Sequence, residues 1–304
     1  MRIDQLLVQN QLATTRSQAQ RLIAGGVEWR QGDVWRRVQK NGDDVAVDAQ
    51  IRLLDDSEAR YVSRGGLKLE AALKQVGLDV TGWQCLDVGQ STGGFTDCLL
   101  QQGAAMVVGV DVGSAQLHPN LRADPRVLCV EGVNARALDA SDLLAAYLDS
   151  ISAIGQFELD EDDDEQRRDE DFEGQGATSD DAPDDASDGV LPATQGFVPE
   201  FDLVVADLSF ISQTLVLPAV VPLLKPGGVL LTLVKPQFEL QPGQVGKGGI
   251  VKDAALYAFI EKRLRDACAE LDLTVTHWFD SPIAGGDGNR EFFIGARAPS
   301  VQSS

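Results

Sequence analysis

The sequence predicts an α/β fold in which a small α+β unit precedes a larger, doubly wound sheet of the Rossmann type. From residue 85 onward, short apolar runs with strand character recur along the chain, and helical stretches separate most of them. This alternation is typical of a mostly parallel sheet. A glycine-rich turn follows the first run, as in sheets that bind nucleotides. With 304 residues, 43% of them apolar, the chain has room for two domains and a sizeable core.

The smaller unit is predicted over residues 1–60. Its elements are helices at 4–8 and 17–24 and strands at 27–29, 34–37 and 45–53. The polar residues 14–17 suit a helix cap, and Gly25 and Gly26 are expected to end the second helix. About 60 residues give only a marginal core, so this unit is expected to dock onto the next one through the polar link at 55–60.

The larger unit is predicted over residues 61–304. Its predicted strands cover 85–88, 106–110, 126–130, 201–206, 229–234, 274–279 and 292–296, and its helices include 67–76 and 95–102. The clearest helix is predicted at 251–271. Its apolar face would consist of Leu256, Phe259, Ile260, Leu264, Ala267 and Leu271. Ligands of such sheets bind at the carboxyl ends of the strands, so polar residues at those ends are the candidates for a site.

Charge is distributed unevenly along the chain, whose formal net charge is −21. Residues 158–188 contain 16 acidic residues and two arginines, whereas residues 1–40 have a net charge of +4. The stretch 156–197 is nearly free of aromatic residues and is predicted to be a disordered acidic insert. A tolerated, solvated insertion is favoured over an acidic decoy that suppresses non-specific RNA binding. The basic start of the chain suits a nucleic-acid partner.

Several classes of protein are disfavoured by composition. No apolar run approaches the ~18–20 residues that span a bilayer, and the first residues do not have the pattern of a signal peptide. A cytoplasmic protein is therefore expected. The four cysteines show no C-x-x-C pairing and are expected to be reduced and mostly buried. His118 and His277 lie far apart in the sequence, so no metal centre is expected.

A glycine turn and an acidic strand end point to an adenosine-containing ligand. The turn is Gly89-Gln90-Ser91-Thr92-Gly93-Gly94, directly after an apolar strand. Small residues there let the backbone approach a ligand closely, although the spacing differs from G-x-G-x-x-G. Asp111 ends the next predicted strand, 22 residues after Gly89. Its carboxylate could accept hydrogen bonds from both ribose hydroxyls. The alternative is an ordinary tight turn in a parallel sheet.

Four charged residues stand out by their position. Asp207 and Lys235 end apolar strands, Lys68 follows a Gly-Gly pair, and Glu291 precedes the last predicted strand. A charge at the end of an apolar strand is costly unless it is paired or functional. A structural ion pair or a lysine that reaches solvent would explain one such residue. Two on neighbouring strands, beside a cofactor turn, favour an active site.

The motifs of the chain resemble those of the TlyA family of S-adenosylmethionine-dependent ribosomal RNA 2′-O-methyltransferases, often labelled hemolysin A. They are Ser63-Arg64-Gly65-Gly66-x-Lys68-Leu69, Val88-Gly89-x-Ser91-Thr92-Gly93-Gly94-Phe95-Thr96-Asp97, Val108-Gly109-Val110-Asp111, Ala206-Asp207-Leu208-Ser209-Phe210-Ile211-Ser212 and Val234-Lys235-Pro236-Gln237-Phe238-Glu239. Residues 1–60 resemble an S4-type RNA-binding domain, and residues 61–304 resemble an FtsJ-like methyltransferase domain. The resemblance covers nearly the whole chain except the acidic insert.

The resemblance implies roles for individual residues. The family's catalytic Lys-Asp-Lys-Glu set falls on Lys68, Asp207, Lys235 and Glu291. Lys235 would act on the ribose hydroxyl, either as a neutral base or as an orienting cation. S-adenosylmethionine would be held by Gly89, Ser91, Thr92, Gly93 and Gly94, with Asp111 on its ribose and Asn134 near its adenine. Contacts to RNA are expected from Arg2, Arg16, Arg21, Arg64 and Lys247.

The implied substrate is ribosomal RNA, with a cytidine in assembled subunits as the target, and neither DNA nor a membrane as partner. Gln90 departs from the small residue expected in the glycine turn. In the smaller unit, Trp29 and Trp35 flank the turn at 31–33, where they would stack on RNA or pack as buried strand residues. The segment 243–249 superficially resembles a phosphate-binding loop but lacks its Ser/Thr and its preceding strand.

Two other functions remain as alternatives. One is an S4-type ribosome assembly factor whose cofactor pocket is vestigial, which the complete Lys68, Asp207, Lys235 and Glu291 set argues against. The other is a secreted pore-former, as the hemolysin label suggests. The sequence shows neither an export signal nor an amphipathic lytic helix, which argues against that function.

Overall fold

The computed structural model describes residues 1–13, 15–54, 59–152, 196–283, 285 and 288–301. These residues form a three-stranded sheet near the start of the chain and a seven-stranded sheet after it, each with its own helices. This arrangement agrees with the predicted α/β fold. The predicted acidic insert at 156–197 lies outside the described residues except for its last two.

The smaller unit packs two helices on an antiparallel sheet. The helices are α1 (Ile3–Gln9) and α2 (Arg16–Gly26), and the strands are β1 (Val27–Gln31), β2 (Val34–Arg37) and β3 (Ile51–Leu53), in the order β2-β1-β3. The Thr15 side chain caps α2 by accepting a hydrogen bond from the backbone of Gln18. Its core consists mainly of Ile3, Leu6, Leu7, Ala19, Leu22 and Val27.

The predicted strand at 45–53 is wrong over its first half. Only β3 is a strand, and Val47 is exposed. The backbone N–H of Val45 donates to the carbonyl of Met1, and the N–H of Ala49 donates back to Ala46. These backbone groups are therefore not available for the hydrogen bonds to β1 that a longer strand would form. Apolar alternation alone does not reveal such a turn.

The larger unit contains strands β4 (Gln84–Val88), β5 (Met106–Asp111), β6 (Val127–Glu131), β7 (Phe201–Asp207), β8 (Leu224–Val234), β9 (Thr274–Asp280) and β10 (Phe292–Arg297). Their order in the sheet is β6-β5-β4-β7-β8-β10-β9. The first five strands in that order are parallel, and β10 is antiparallel to both of its neighbours. After β4 the chain adds β5 and β6 on one side of that strand, and it then adds β7 and β8 on the other side. This reversal of strand order creates a crevice at the carboxyl ends of β4 and β7.

Helices cover both faces of this sheet, as the doubly wound prediction requires. They are α3 (Arg64–Val76), α4 (Gly94–Gln101), α5 (Pro119–Arg122), α6 (140–152), α7 (Leu217–Val220), α8 (Pro236–Glu239) and α9 (Ala255–Ala269). The prediction for α9 is wrong at Phe259, which is exposed, while Cys268 is buried beside Ile260 and Leu264. The buried stripe of α9 is thus narrower than its apolar composition suggests. No helix in the described parts of the chain is both long and apolar enough to cross a membrane.

The two units meet along the approach to α3. The Gln18 side chain donates to the carbonyl oxygen of Tyr61 (3.5 Å), and the Tyr61 ring lies against Gly66, where a Cβ atom would come within 2.3 Å of it. A cavity of about 740 Å³ opens at this junction between Leu12 and Leu121. None of the four predicted catalytic residues, Lys68, Asp207, Lys235 and Glu291, lines this cavity.

Candidate active site

The turn after β4 is a backbone cradle at the crevice of the sheet. Gly89 and Gly93 have positive φ angles of 84° and 95°. A Cβ atom at Gly89 would lie 2.9 Å from the carbonyl oxygen of Asp207, and one at Gly94 would lie 2.1 Å from Ser63 Oγ. Side chains at these positions would therefore collide with neighbouring elements or strain the backbone. Their absence lets β4, β7 and the start of α4 converge closely around the crevice.

Gln90 does not obstruct this cradle. Its side chain is buried and donates to Thr96 Oγ1 (2.9 Å). It occupies the space beside Gly109 on β5, where a Cβ atom would come within 1.9 Å of the Gln90 amide. The larger residue in the turn is thus accommodated by a missing side chain on the neighbouring strand. The sequence contained the signal, because Gly109 interrupts an otherwise apolar β5.

Asp111 and Asn134 lie together at one end of the crevice. The Asp111 carboxylate accepts hydrogen bonds from the backbone N–H groups of Ser91 (2.8 Å) and Gly113 (2.7 Å). It therefore holds the glycine turn in place, and each oxygen keeps a lone pair for a ligand. Asn134 is exposed, and its side-chain oxygen accepts from the N–H of Arg136 (3.1 Å).

One continuous depression joins these cofactor candidates to the charged residues. A cleft of about 1050 Å³ is lined by Gly89, Ser91, Asp111, Asn134, Asp207, Ser209, Phe210 and Phe238, among others. A smaller pocket of about 170 Å³ shares Gly89, Ser91, Asp207 and Ser209 with it and adds Ser63, Asp87, Thr92, Gly94 and Lys235. The combined space is large enough for a nucleoside-sized ligand together with a second group.

Asp87 lies beneath the small pocket and was not among the predicted site residues. Its Oδ2 accepts from the backbone and the hydroxyl of Thr96 (3.0 and 2.7 Å), whereas its buried Oδ1 has no hydrogen-bond partner among the described residues. Burial, together with the nearby Asp207 carboxylate, raises the pKa of Asp87 to about 7 against the opposing effect of the hydrogen bonds from Thr96. A buried oxygen without a donor next to a pocket fits a cationic group of a ligand.

The structure brings the four predicted catalytic residues together as two ion pairs. Lys68 Nζ on α3 lies 2.5 Å from Glu291 Oε2, which immediately precedes β10. Lys235 Nζ, after β8, lies 2.5 Å from Asp207 Oδ1 at the end of β7 and 3.0 Å from Ser209 Oγ. The pairing of β7, β8 and β10 brings Asp207, Lys235 and Glu291 to the same edge of the sheet, because Asp207 pairs with Leu233 and Phe292 pairs with Val234.

The two pairs influence each other electrostatically. Burial raises the pKa of Glu291, and the positive charges of Lys68 and Lys235 oppose that increase. The Lys68–Glu291 pair is almost fully buried, whereas the Lys235–Asp207 pair borders the small pocket. The second pair is therefore the one that a bound substrate can reach.

Phe210 is a further residue of the cleft that sequence reasoning did not single out. Its side chain is 91% exposed, its φ angle is +65°, and its ring centroid lies 5.1 Å from that of Phe238. A bulky residue with positive φ is uncommon and is a place where strain is associated with function. The sequence shows an aromatic residue after Asp207 but not that the ring faces solvent.

The predicted RNA-binding residues are spread over several elements. Arg2 and Arg16 both donate to the fully buried Asp4, whose pKa they hold well below its usual range. They remain about half exposed, so one face of each guanidinium is structural and the other is accessible. Arg21 lies on α2, Arg64 begins α3, and Lys247 is exposed in the loop after α8.

The two tryptophans of the smaller unit differ in their surroundings. Trp29 packs partly buried against the core of that unit, as expected for a strand aromatic. The Arg52 guanidinium lies 4.5 Å from the Trp35 ring centroid and also pairs with Glu28. Trp35 therefore already has a stacking partner within the protein.

Comparison with known proteins decides the family. Residues 61–298 match the FtsJ-like methyltransferase family. The chain belongs to the FtsJ-like methyltransferase family. The chain is also 36% identical, over 97% of its length and 89% of the relative's, to the 16S/23S rRNA (cytidine-2′-O)-methyltransferase TlyA of Mycobacterium tuberculosis. It is 32% identical to Hemolysin A of Brachyspira hyodysenteriae, over 96% of this chain and 98% of that protein.

A solved structure agrees with this family. A protein of Streptococcus thermophilus that carries a provisional hemolysin name is 32% identical to this chain, and the match covers 100% of this chain and 91% of that one with a TM-score of 0.62. The predicted resemblance to the TlyA family is thereby confirmed, and the protein is a methyltransferase.

The predicted cofactor, S-adenosylmethionine, follows from membership of the FtsJ-like methyltransferase family. The described residues fit that cofactor. The cradle at Gly89 and Gly94 has no room for side chains, Asp111 offers free lone pairs to a ribose, and Asp87 Oδ1 offers an unpaired acceptor to an ammonium group. These are the groups needed along the length of S-adenosylmethionine.

Proposed function

We propose that this protein transfers a methyl group from S-adenosylmethionine to a ribose 2′-hydroxyl of ribosomal RNA, with a cytidine in assembled subunits as the target. The observation that carries the proposal is the position of the Lys235–Asp207 pair. It borders the same pocket as the glycine cradle, so a hydroxyl bound at Lys235 would lie next to the cofactor. The Mycobacterium tuberculosis relative is named for cytidine 2′-O-methylation of 16S and 23S rRNA, which supports this substrate.

The reaction is an in-line displacement, so alignment can supply most of the acceleration. S-adenosylmethionine, when bound, supplies an electrophilic methyl group on a positively charged sulfur. The ribose 2′-oxygen forms a bond to the methyl carbon as the carbon–sulfur bond breaks, and the electron pair of that bond goes to sulfur. The hydroxyl proton passes to the Asp207 carboxylate, the negative charge paired with Lys235.

Lys235 acts in this proposal as an ammonium that orients the hydroxyl. The Asp207 carboxylate forms an ion pair with Lys235 Nζ at 2.5 Å. Ser209 Oγ at 3.0 Å fixes the direction of the side chain. Lys235→Arg keeps a cation that cannot act as a base. We expect this variant to retain more activity than Lys235→Ala, whereas equal loss in both variants would indicate a neutral lysine base.

Phe210 provides a surface for the base of the target nucleotide. Its exposed ring lies at the rim of the cleft that contains Asp207 and Ser209. Aromatic side chains commonly stack on unstacked RNA bases, and a base is accepted by stacking whatever its hydrogen-bonding edge. Specificity for cytidine would then come from polar groups around the ring rather than from the ring itself.

The smaller unit, which resembles an S4-type domain, is proposed to bind ribosomal RNA through its arginines. Residues 1–40 of this unit have a net charge of +4, which supports contacts to phosphates, and a phosphate contact weakens with salt. Arg2 and Arg16 are less suitable for a test because they also stabilise the buried Asp4. A separate RNA contact is proposed for Lys247, in an exposed loop of the larger unit. Lys247→Ala is expected to raise KM for the ribosomal subunit and to reduce the salt dependence of binding by about one phosphate contact. A ribosomal substrate would place the protein in the cytoplasm.

The decisive experiment is transfer of labelled methyl from S-adenosylmethionine to ribosomal subunits purified from cells that lack this gene. We expect label on RNA with the unchanged protein and none with Lys235→Ala. Mapping the labelled ribose would identify the nucleotide and the subunit. Cofactor binding without label on either subunit would contradict the proposal and favour the assembly-factor alternative.

A further inference from the structure

Two loops form the wall of the cleft next to the Lys235–Asp207 pair. The first follows β7 and contains Ser209 and Phe210, and the second follows β8 and contains Lys235 and Phe238. Contacts at the cleft surface join the two loops, because Lys235 bonds to Ser209 and the two phenylalanine rings touch. The reacting geometry therefore depends on how the loops are held relative to each other.

A buried glutamate connects these loops beneath the cleft surface. Glu239, at the end of α8, is 3% exposed. Its Oε2 accepts from Ser212 Oγ (2.5 Å), and its Oε1 accepts from the backbone N–H of Gln213 (2.7 Å). One carboxylate on the second loop thus binds two donors of the first loop. Burial raises the pKa of Glu239, while these two hydrogen bonds oppose that increase.

Neighbouring side chains hold both ends of this connection. Gln213, also buried, donates to the carbonyl of Leu233 (2.7 Å) and accepts from Thr232 Oγ1 (2.6 Å) on β8. From α9, Arg263 donates to the carbonyl of Glu239 (2.7 Å) and to Thr214 Oγ1 (3.1 Å). A fully satisfied buried network of this kind fixes one arrangement of the elements it joins.

We propose that Glu239 is a positioning residue for methyl transfer, which holds the two loops so that Phe210 and Lys235 present a preformed surface to the target nucleotide. This inference rests on the proposed function, since it assigns the loops to the RNA side of the cleft. Glu239 itself does not touch the reacting atoms. It acts through the loop that carries Ser209 and Phe210, and the cofactor cradle at Gly89 belongs to another element.

The test uses two substitutions of the full-length protein with ribosomal subunits as substrate. We expect Glu239→Ala to lower kcat/KM for the subunit by about 30-fold, while the Kd for S-adenosylmethionine stays within about twofold. Glu239→Gln should recover most of that loss, because its amide oxygen can accept from Gln213 and its amide nitrogen can donate to Ser212. Glu261→Ala is the matched control, since that glutamate pairs, among the residues that the structure describes, with Arg265 of the same helix. All rates are measured well below the unfolding temperature of each variant.

A double variant separates positioning from loss of stability. If Glu239 acts through Phe210, Glu239→Ala and Phe210→Ala together should cost less than the product of their separate effects. Fully multiplicative effects, or a Glu239→Ala protein that is merely less stable and has unchanged kcat and KM, would overturn the inference while the proposed function stands. Absence of any transfer by the unchanged protein would overturn both.

Discussion

The two ion pairs of the active site have the same chemistry and different surroundings. The side chains of Lys68 and Glu291 are 9% and 3% exposed, whereas those of Lys235 and Asp207 are 14% and 25% exposed and border the pocket. The same contrast appears on the cofactor side. Asp87 is buried under the pocket, while Asp111 faces the cleft. In each half of the site, one charge lies deeper in the protein and another is more open to the cleft.

This contrast separates two uses of a charge. A buried pair is desolvated, so removal of one member leaves an unpaired charge in the protein and lowers stability. A charge at the cleft costs little to maintain and can exchange its water for a substrate group, so its removal is felt in binding or turnover. Substitution of each residue tests whether a buried charge affects stability and a charge at the cleft affects binding or turnover.

The largest effect is expected at Lys235. Lys235→Ala should lower the rate of methyl transfer by about 10³-fold or more, because the hydroxyl loses the group that aligns it. The Kd for the cofactor should change little, and the free energy of unfolding should fall by about 1 kcal/mol or less, since the pair opens on the cleft. Single-turnover transfer, calorimetric titration and denaturant unfolding measure the three quantities. Transfer that survives in this variant would remove Lys235 from the mechanism.

Lys68 tests the other side of the comparison. Lys68→Ala leaves Glu291 buried without its partner, and we expect a loss of about 3–5 kcal/mol in the free energy of unfolding. Replacing both residues by apolar ones, Lys68→Met with Glu291→Leu, should recover most of that stability but not the turnover. Denaturant unfolding of the three proteins measures this. Equal stability of Lys68→Ala and the unchanged protein would show that burial of this pair has no thermodynamic consequence.

Most of the fold could be predicted because its signals are local. Each strand of the large sheet is an apolar run, and the glycine turn after β4 marks the crevice. The errors occur where tertiary contacts override local pattern. Val47 lies in a turn closed by Ala46 and Ala49, and Phe259 faces solvent because α9 contacts the sheet along a narrow stripe. Neither fact has a signature in nearby residues.

The sequence indicated most residues of the candidate site but not the contacts between them. Strand-end position indicated Asp207 and Lys235, but their mutual distance depends on the register of β7 and β8. Asp87 also lies near a strand end but was assigned no role, because an acidic residue inside an apolar strand shows neither its burial nor its unpaired oxygen. Glu239 lies in a quoted motif, yet its bonds to Ser212 and Gln213 cross between loops. Such contacts between distant segments are outside the reach of pattern and spacing.

Asp111 sharpens the comparison on the cofactor side. Asp111→Ala should weaken cofactor binding at least about tenfold, or 1.4 kcal/mol, because it removes the proposed ribose acceptor and the hydrogen bond that holds Ser91 in the glycine turn. Glu131→Ala is a suitable control, since that carboxylate ends the adjacent strand but pairs with Arg122 instead. Calorimetric titration gives both Kd values. An unchanged Kd in Asp111→Ala would exclude the assigned role.

The smallest effect concerns the buried Asp87 and appears as a pH dependence of cofactor binding. Burial raises its pKa to about 7 from an unfolded value of 3.8, so its protonated form stabilises the fold below about pH 4 and that contribution is lost as the pH rises through 7. A cofactor ammonium beside Oδ1 would favour the ionised form. Binding should therefore release a proton near neutral pH, and affinity should rise about fivefold between pH 6 and pH 8.

Titrations of cofactor in two buffers of different ionisation enthalpy would detect the released proton at pH 7. Asp87→Asn keeps the shape of the side chain and cannot ionise, so both the proton release and the rise in affinity should disappear. If the unchanged protein releases no proton, Asp87 does not meet the ammonium and its unpaired oxygen needs another explanation. If the release persists in Asp87→Asn, another group titrates on binding, and Glu291, whose pKa burial also raises, is the next to replace.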